Sequence, residues 1–316
     1  MRSRIAALGA LVAAALLPAP PPARAQAPIT MVVTFAPGGA ADIVARILAP
    51  EFSGALGTQV VVKNTIGASG TIGTAEAARA RPDGQTLLFS PVGPIAVQPQ
   101  FMRGISYSPA DLQPICQVSE APLVMMTPRS SGLRTVGDVV ARARAAAGSM
   151  PFGSSGIATL PHISMVAWTR AGGTPMVHVP FRGAGEVMMA FAQGSIQVFS
   201  DLPATVRQQN LHAIAVFAPA RTPEFPDTPA MREAGFDLSF SIWLGLFAPT
   251  GLPAPLLVRL DAACERAVRA PAVVDGLGRV QMPVVHRNSR DFAAFVTAEI
   301  DKYRGIIEAS GLRQAE

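Results

Sequence analysis

The chain has 316 residues, 49% of them hydrophobic and 15% charged, a balance that excludes a disordered chain and supplies more apolar material than one core absorbs. Its 26 basic and 21 acidic residues form no basic run and no basic–aromatic interleaving, so the positive balance does not predict a nucleic-acid partner. Two lobes are therefore expected.

The first element is a leader. "MRSR" is basic, "IAALGALVAAALL" is apolar but too short to span a bilayer, and Ala23-Arg24-Ala25 is a small-x-small cleavage pattern. Residues 1–25 read as a secretory signal peptide cut after Ala25, which predicts a soluble periplasmic protein. The cut would remove Arg2, Arg4 and Arg24 and leave 23 basic against 21 acidic residues. Strand-like runs then follow in order: "ITMVVTF", "QVVVKN", "TLLFSP", "PLVMMTP", "MPFGSS", "MVHVPF", "IQVFSD", "HAIAVFAP" and "FSIWLGLFAP". Helical patterns lie between most of them. Thr135 with Asp138 three residues on opens a helix that Gly148 closes, and Ser289 opens a long final helix that Gly311 closes. Strands alternating with helices predict an α/β fold whose lobes are mainly parallel sheets flanked by helices, with a cleft between the lobes. The best crossing segments are 122–128 and 240–253. They divide the mature chain into a first lobe of residues 26–124 plus 240–316 and a second of residues 125–239.

Cys116 lies in a strand-like run and Cys264 in a helical one. Two distant cysteines in a chain of this size are not a disulfide framework, and the reading favours buried free thiols, although export permits a bridge.

Ligands of open α/β sheets bind beyond the carboxyl ends of the strands. Glycine and hydroxyl residues recur there: "APGGAAD", "NTIGASGTIG", "SPVGPIAVQP", "FGSSGIATLPH", "PFRGAGE" and "SDLP". A strand, a Gly-rich turn and a helix start together offer unpaired N–H groups and positive potential to an anion. A plain strand-to-helix turn explains any one such loop, but six at corresponding places point to an anion-binding cleft.

Several long segments in this order resemble the solute-binding receptors of tripartite tricarboxylate transporters, the Bug family. They are "PGGAADIVARILA", "VVVKNTIGASGTIGTAEAARARPDGQTLL", "FGSSGIATLPHI", "HVPFRGAGEVMMAFAQGSIQVFSD" and "WLGLFAPTGLPAPLLVRL". The resemblance spans nearly the whole mature chain. It implies a two-lobed periplasmic binding protein of type II-like architecture that captures a small carboxylate for a membrane permease, without a cofactor or a metal. It implies ligand contacts from Gly38, Gly39 and Asp42 in the first loop, Gly70 and Thr71 in the second, and Ser90 in the third. From the second lobe it implies Ser154, Ser155, Thr159 and His162, with Phe181, Arg182, Gly183 and Asp201 nearby. Three departures bear on the ligand: Ala41 stands where a Thr is usual, Phe181-Arg182-Gly183 replaces Tyr-Lys-Gly, and Leu202 replaces an Asn after Asp201. The resemblance leaves the carboxylate open among a di- or tricarboxylate, an amino acid and an aromatic acid. A monomer is expected.

Each residue also has a structural reading. Asp42, an anion in an anion site, fits the helix start better than the ligand. His162 serves a cap or packing as readily as a ligand, His178 belongs in a core, and Arg182 fits a surface ion pair. Among enzymes, the G-x-S-x-G elbow, the Walker A loop, H-E-x-x-H and the dinucleotide fingerprint are all missing. The one catalytic alternative is a secreted hydrolase or isomerase using Ser154 or Ser155 with His162.

Overall fold

The computed structural model describes residues 27–312. The expected leader and its cleavage site lie outside the described residues. The chain begins with β1 (Ile29–Val33), α1 (Ala40–Leu56), β2 (Val60–Asn64), α2 (Thr71–Ala78), β3 (Thr86–Pro91) and the short α3 (Gln98–Phe101). A long strand, β4 (Leu112–Pro122), runs through Leu123 into β5 (Val124–Thr127). The middle of the chain forms α4 (Val136–Ala145), β6 (Pro151–Ser154), α5 (Leu160–Ala171), β7 (Val177–Pro180), α6 (Ala184–Ala192), β8 (Phe199–Asp201), α7 (Pro203–Gln208) and β9 (His212–Val216). The chain then continues through β10 (Ser241–Pro249), α8 (Ala254–Val268), α9 (Pro271–Arg279), β11 (Val284–Arg287) and α10 (Ser289–Ser310).

The first lobe is built on a six-stranded sheet of order β11-β4-β10-β3-β1-β2. Its β3-β1-β2 portion is parallel, as alternating strands and helices dictate, whereas β10, β4 and β11 pair antiparallel. In the second lobe β5 lies antiparallel between β8 and β9, and β6 runs parallel to β7. The sheets are thus mixed rather than mainly parallel. The reason is topological: strands that carry the chain out of a lobe and back need no crossover helix, and they return antiparallel. The chain changes sheet at Leu123 and Phe240, where Leu123 N–H donates to Phe240 O at 2.8 Å.

Burial explains the apolar runs. Met31, Val33, Leu87 and Phe89 pack beneath α1, α8 and α9 through Val44, Leu48, Phe52, Leu260 and Val273. Val32, Leu88 and Phe247 face the other way, joining Phe292, Val296 and Tyr303 of α10. That second cluster passes continuously through the crossing to Met125, Trp168 and Phe217. Helix ends follow local chemistry. Thr135 and Asp138 form the expected capping box, with Asp138 N–H donating to Thr135 Oγ1 (3.1 Å) and Thr135 N–H to Asp138 Oδ2 (2.8 Å). At α10 the cap is Asn288, one residue before Ser289, because its side-chain oxygen receives Asp291 N–H at 2.9 Å.

The cysteine expectation is overturned. Cys116 on β4 and Cys264 on α8 form a disulfide, with Cα atoms 6.6 Å apart across 148 residues of sequence. Helix α8 packs directly on β4, and this proximity is invisible in the spacing of two cysteines. No helix among the described residues is long and apolar enough to cross a membrane.

Candidate functional site

A cavity of about 320 Å³ lies between residues of the two lobes. From the first lobe it is lined by Phe35, Ser69, Pro91, Val92, Gly93 and Gln98, with Ile242 at the crossing. From the second it is lined by Ser155, Ala158, Thr159, Leu160, Pro161 and Asp201. A larger hollow of about 720 Å³, between α10 and residues 99–114, contains none of the expected site residues.

Two helices begin at this cavity. The loop after β6 leads through Ser155 into α5, whose first intrahelical bond is Ile163 N–H to Thr159 O (2.9 Å). The N–H groups of Leu160 and His162 precede that bond and have no intrahelical acceptor, while Pro161 has no N–H to satisfy. From the other lobe, Ser69 immediately precedes Gly70, which caps α2. The Ser69 and Ser155 hydroxyls are engaged by no other group among the described residues. The backbone is strained on both walls: Ser69 (φ 55°) and Ala158 (φ 56°) are left-handed non-glycine residues. One hydrogen bond crosses the cavity, from Gln98 Nε2 to Ala158 O at 3.5 Å.

Of the sequence-expected residues, Ser155, Thr159 and Asp201 line the cavity. Gly70 and Thr71 stand directly behind Ser69. Gly70 has φ +90°, and a Cβ there would meet Pro94 Cγ at 2.6 Å and Phe35 at 3.2 Å, so the glycine is required by packing as well as by backbone conformation. Ser90 is fully buried and donates to Pro91 O at 3.1 Å.

The donors of the first loop are engaged within the turn itself. Gly38 N–H donates to Asp42 Oδ2 at 2.9 Å and Gly39 N–H to Ala36 O at 3.2 Å, so these donors are used within the turn. Asp42 is buried and also accepts from Arg46 Nε (2.9 Å) and Asn64 Nδ2 (2.9 Å). These donors, the Arg46 guanidinium first, lower its pKa to about 2 against the opposing effect of burial. Gly38, Gly39 and Asp42 therefore sit outside the lining, and only Phe35, just before the loop, reaches it. Ala40 and Ile43 line a separate hollow of about 380 Å³ with Leu202 and Arg279. Arg46 and Asn64 were missed from the sequence, although the Asp42–Arg46 spacing of one helical turn was visible there.

In the second lobe, Ser154 is fully buried and does not line the cavity. It pairs with His178 rather than His162: Ser154 Oγ lies 2.6 Å from His178 Nε2 and 2.9 Å from Gly156 O. His162 Nδ1 instead accepts Ala158 N–H at 3.1 Å, which pins the start of α5. The His162 and His178 rings stack at 3.7 Å, with Phe152 beyond His178 at 5.1 Å. Burial, and for His162 also the neighbouring His178, lowers the two histidines to about 3 and about 4. Both are neutral structural groups behind the wall, and the expected Ser–His162 pair does not form. Phe181 packs beneath the loop, Gly183 caps α6, and Arg182 is exposed with its N–H on Glu186 Oε2 (3.0 Å). None of these three lines the cavity. Asp201 accepts the Thr205 hydroxyl at 2.9 Å and the Leu202 N–H, and burial raises its pKa.

The sequence signature of the tripartite tricarboxylate transporter family receptor matches residues 44–312. The chain belongs to this family. Protein BugT of Bordetella pertussis is 30% identical, covering 99% of each chain. A protein from the tcbD-tcbE intergenic region of Pseudomonas sp. strain P51 is 31% identical over 89% of this chain and 85% of its own. Among solved structures, the periplasmic binding protein BugD superposes with a TM-score of 0.76 at 26% identity, covering 91% of this chain and 99% of its own. MatC of Rhodopseudomonas palustris, solved with bound malate, gives 0.75 at 27% identity, covering 88% and 98%. The receptor is thus a two-lobed solute-binding protein, and the sequence resemblance is borne out at the level of family and fold. Of the lining residues it missed, Ser69 and Val92 lie beside glycines, where motif matching directs attention to the glycines; Ile242 lies in the crossing segment, and Phe35 and Gln98 carry no such local signal.

Proposed function

We propose that the receptor is exported, binds a small carboxylate in the cavity between its lobes, and presents the closed complex to a membrane permease without chemical turnover. The observation that carries this reading is the convergence of two helix starts, one from each lobe, on a single cavity of about 320 Å³. A carboxylate there meets unpaired N–H groups and the positive ends of two helix dipoles. Ser69, Ser155 and Thr159 supply side-chain oxygens on the same walls. A ligand touching both walls makes contacts available only when the lobes are closed, so binding shifts the population toward closure. The malate in MatC supports the ligand class by relationship. We take the lobes to be residues 26–124 with 240–316, and 125–239, and the mature chain to begin at Gln26.

A catalytic reading has no support in the geometry, because Ser154 is buried outside the cavity lining and its partner His178 is half-buried and stacked on a second histidine. The test is mass spectrometry of small molecules released from gently purified protein, followed by calorimetry with the compound found. A carboxylate released unchanged at one per chain is expected. At 100 times its dissociation constant it should stabilise the protein by about 2.7 kcal/mol. Steady conversion of that compound by the purified protein would overturn the reading.

A further inference from the structure

We propose that the cavity selects a monocarboxylate with an apolar body and one hydrogen-bond donor, an amine or a hydroxyl, that docks on Asp201, and that it rejects di- and tricarboxylates. This rests on the carboxylate-receptor reading above and narrows it.

The charge inventory of the lining carries the argument. Among the described residues no Arg, Lys or His lines the cavity, and Asp201 is its single charged side chain. One ligand carboxylate can be held by the helix starts, which bear partial positive charge without a cation. A second would find nothing of opposite sign. Arg46 is committed to Asp42 and Asn64, and Arg182 is exposed outside the lining. The rest of the wall is apolar: Pro91, Val92 and Ile242 on one side, Leu160 and Pro161 on the other. A second carboxylate would be desolvated against these groups or set beside Asp201, and both placements are unfavourable.

Asp201 itself points to the complementary group. Its carboxyl is held by the Thr205 hydroxyl and the Leu202 N–H, and among the described residues no basic side chain is paired with it. A buried carboxylate without a cation is costly unless something supplies donors. A ligand amine or hydroxyl entering the cavity does so, while the ligand's apolar body packs on Val92, Ile242 and Leu160. The same carboxylate that repels a second acid group thus attracts a donor, so one residue sets both preferences.

The test uses the mature full-length protein and two matched acid series in calorimetry. One comprises 4-methylpentanoate, 2-hydroxy-4-methylpentanoate and leucine; the other comprises 3-phenylpropanoate, phenyllactate and phenylalanine. Malate, adipate and citrate are the polyacid arm. In at least one series the hydroxy or amino acid is expected to bind tenfold or more tighter than its plain parent, with no polyacid binding at millimolar concentration. Asp201→Ala should cut that preference below threefold. Asp201→Asn should separate the sources, keeping the preference for a hydroxyl and losing it for an ammonium. Urea unfolding of each variant without ligand checks that the fold is intact, and the wild-type series decides the question even if a variant fails to fold. A polyacid binding as tightly as the best monocarboxylate would overturn this inference and leave the receptor reading standing, as would a donor group without effect. Silence of every acid in all three arms would overturn both.

Discussion

Asp42 shows how a residue in a ligand loop can serve the loop rather than the ligand. Its carboxylate closes the turn by accepting Gly38 N–H and links α1 to β2 through Arg46 and Asn64. Asp42→Ala would leave these donors without their acceptor, and we expect a stability loss of about 1–3 kcal/mol in urea unfolding. Ligand affinity of the folded variant should change by less than threefold in calorimetry; a tenfold loss would place Asp42 in the site after all. Arg182 is a second case. It is exposed and absent from the cavity lining, so Arg182→Ala is expected to leave affinity within threefold. The charged fork that the sequence placed near an anion is exposed and lies outside the cavity lining.

Elements rather than single side chains build the anion-binding surface, through the starts of α2 and α5. Their glycines divide by backbone conformation. Gly70 has φ +90° and no room for a Cβ, whereas Gly39 is at φ −75° with only Ala36 O nearby at 3.2 Å. Gly70→Ala is therefore expected to cost at least about 1–3 kcal/mol of stability, while Gly39→Ala should cost under about 1 kcal/mol. Equal losses for the two variants in urea unfolding would show that neither the left-handed backbone nor the Pro94 contact matters. In the first loop the left-handed position belongs to Gly38, at φ +81°.

Two properties belong to the whole molecule. The Cys116–Cys264 bridge joins two elements of the first lobe, β4 and α8, and closes a chain loop that contains β5 through β9; neither cysteine lines the cavity. Reduction is expected to lower unfolding stability by about 2–5 kcal/mol and to leave ligand affinity nearly unchanged. Denaturant titration and calorimetry, each with and without reductant, check both halves. The stacked histidines set the acid limit. Their folded pKa values of about 3 and about 4 lie below the ordinary 6.5, so the unfolded chain binds protons that the native chain does not. Stability should therefore be unaffected by them above pH 6.5, fall as pH drops below it, and stop falling on their account near pH 3. The slope is up to about 1.4 kcal/mol per pH unit per histidine. Asp42 adds a further loss only between about pH 4 and 2, because its lowered pKa stabilises the fold above that range. His162→Asn, which retains an acceptor for Ala158 N–H, should flatten the profile between pH 6 and 4 in urea unfolding at stepped pH. An unchanged slope would mean that the histidines titrate normally.

The sequence by itself determined the α/β class, the strand runs that fill the parallel half of the first sheet, the capping box of α4 and the family. These rest on apolar periodicity, local hydrogen bonding and ordered motifs, all written within a few turns of chain. Of the cavity, Ser155, Thr159 and Asp201 were legible for the same reason: Ser155 and Asp201 lie at strand ends and Thr159 at the start of the next helix. Tertiary structure alone decided the rest. It paired Cys116 with Cys264, replaced mainly parallel sheets by mixed ones, turned the donors of Gly38 and Gly39 inward, and gave Ser154 to His178 instead of His162. It also brought Phe35, Gln98 and Ile242 to the wall opposite Leu160 and Pro161. The physical reason is common to all of these. A side chain's partner depends on which elements pack together and which way each residue faces, and a one-residue change of phase on a strand reverses that face.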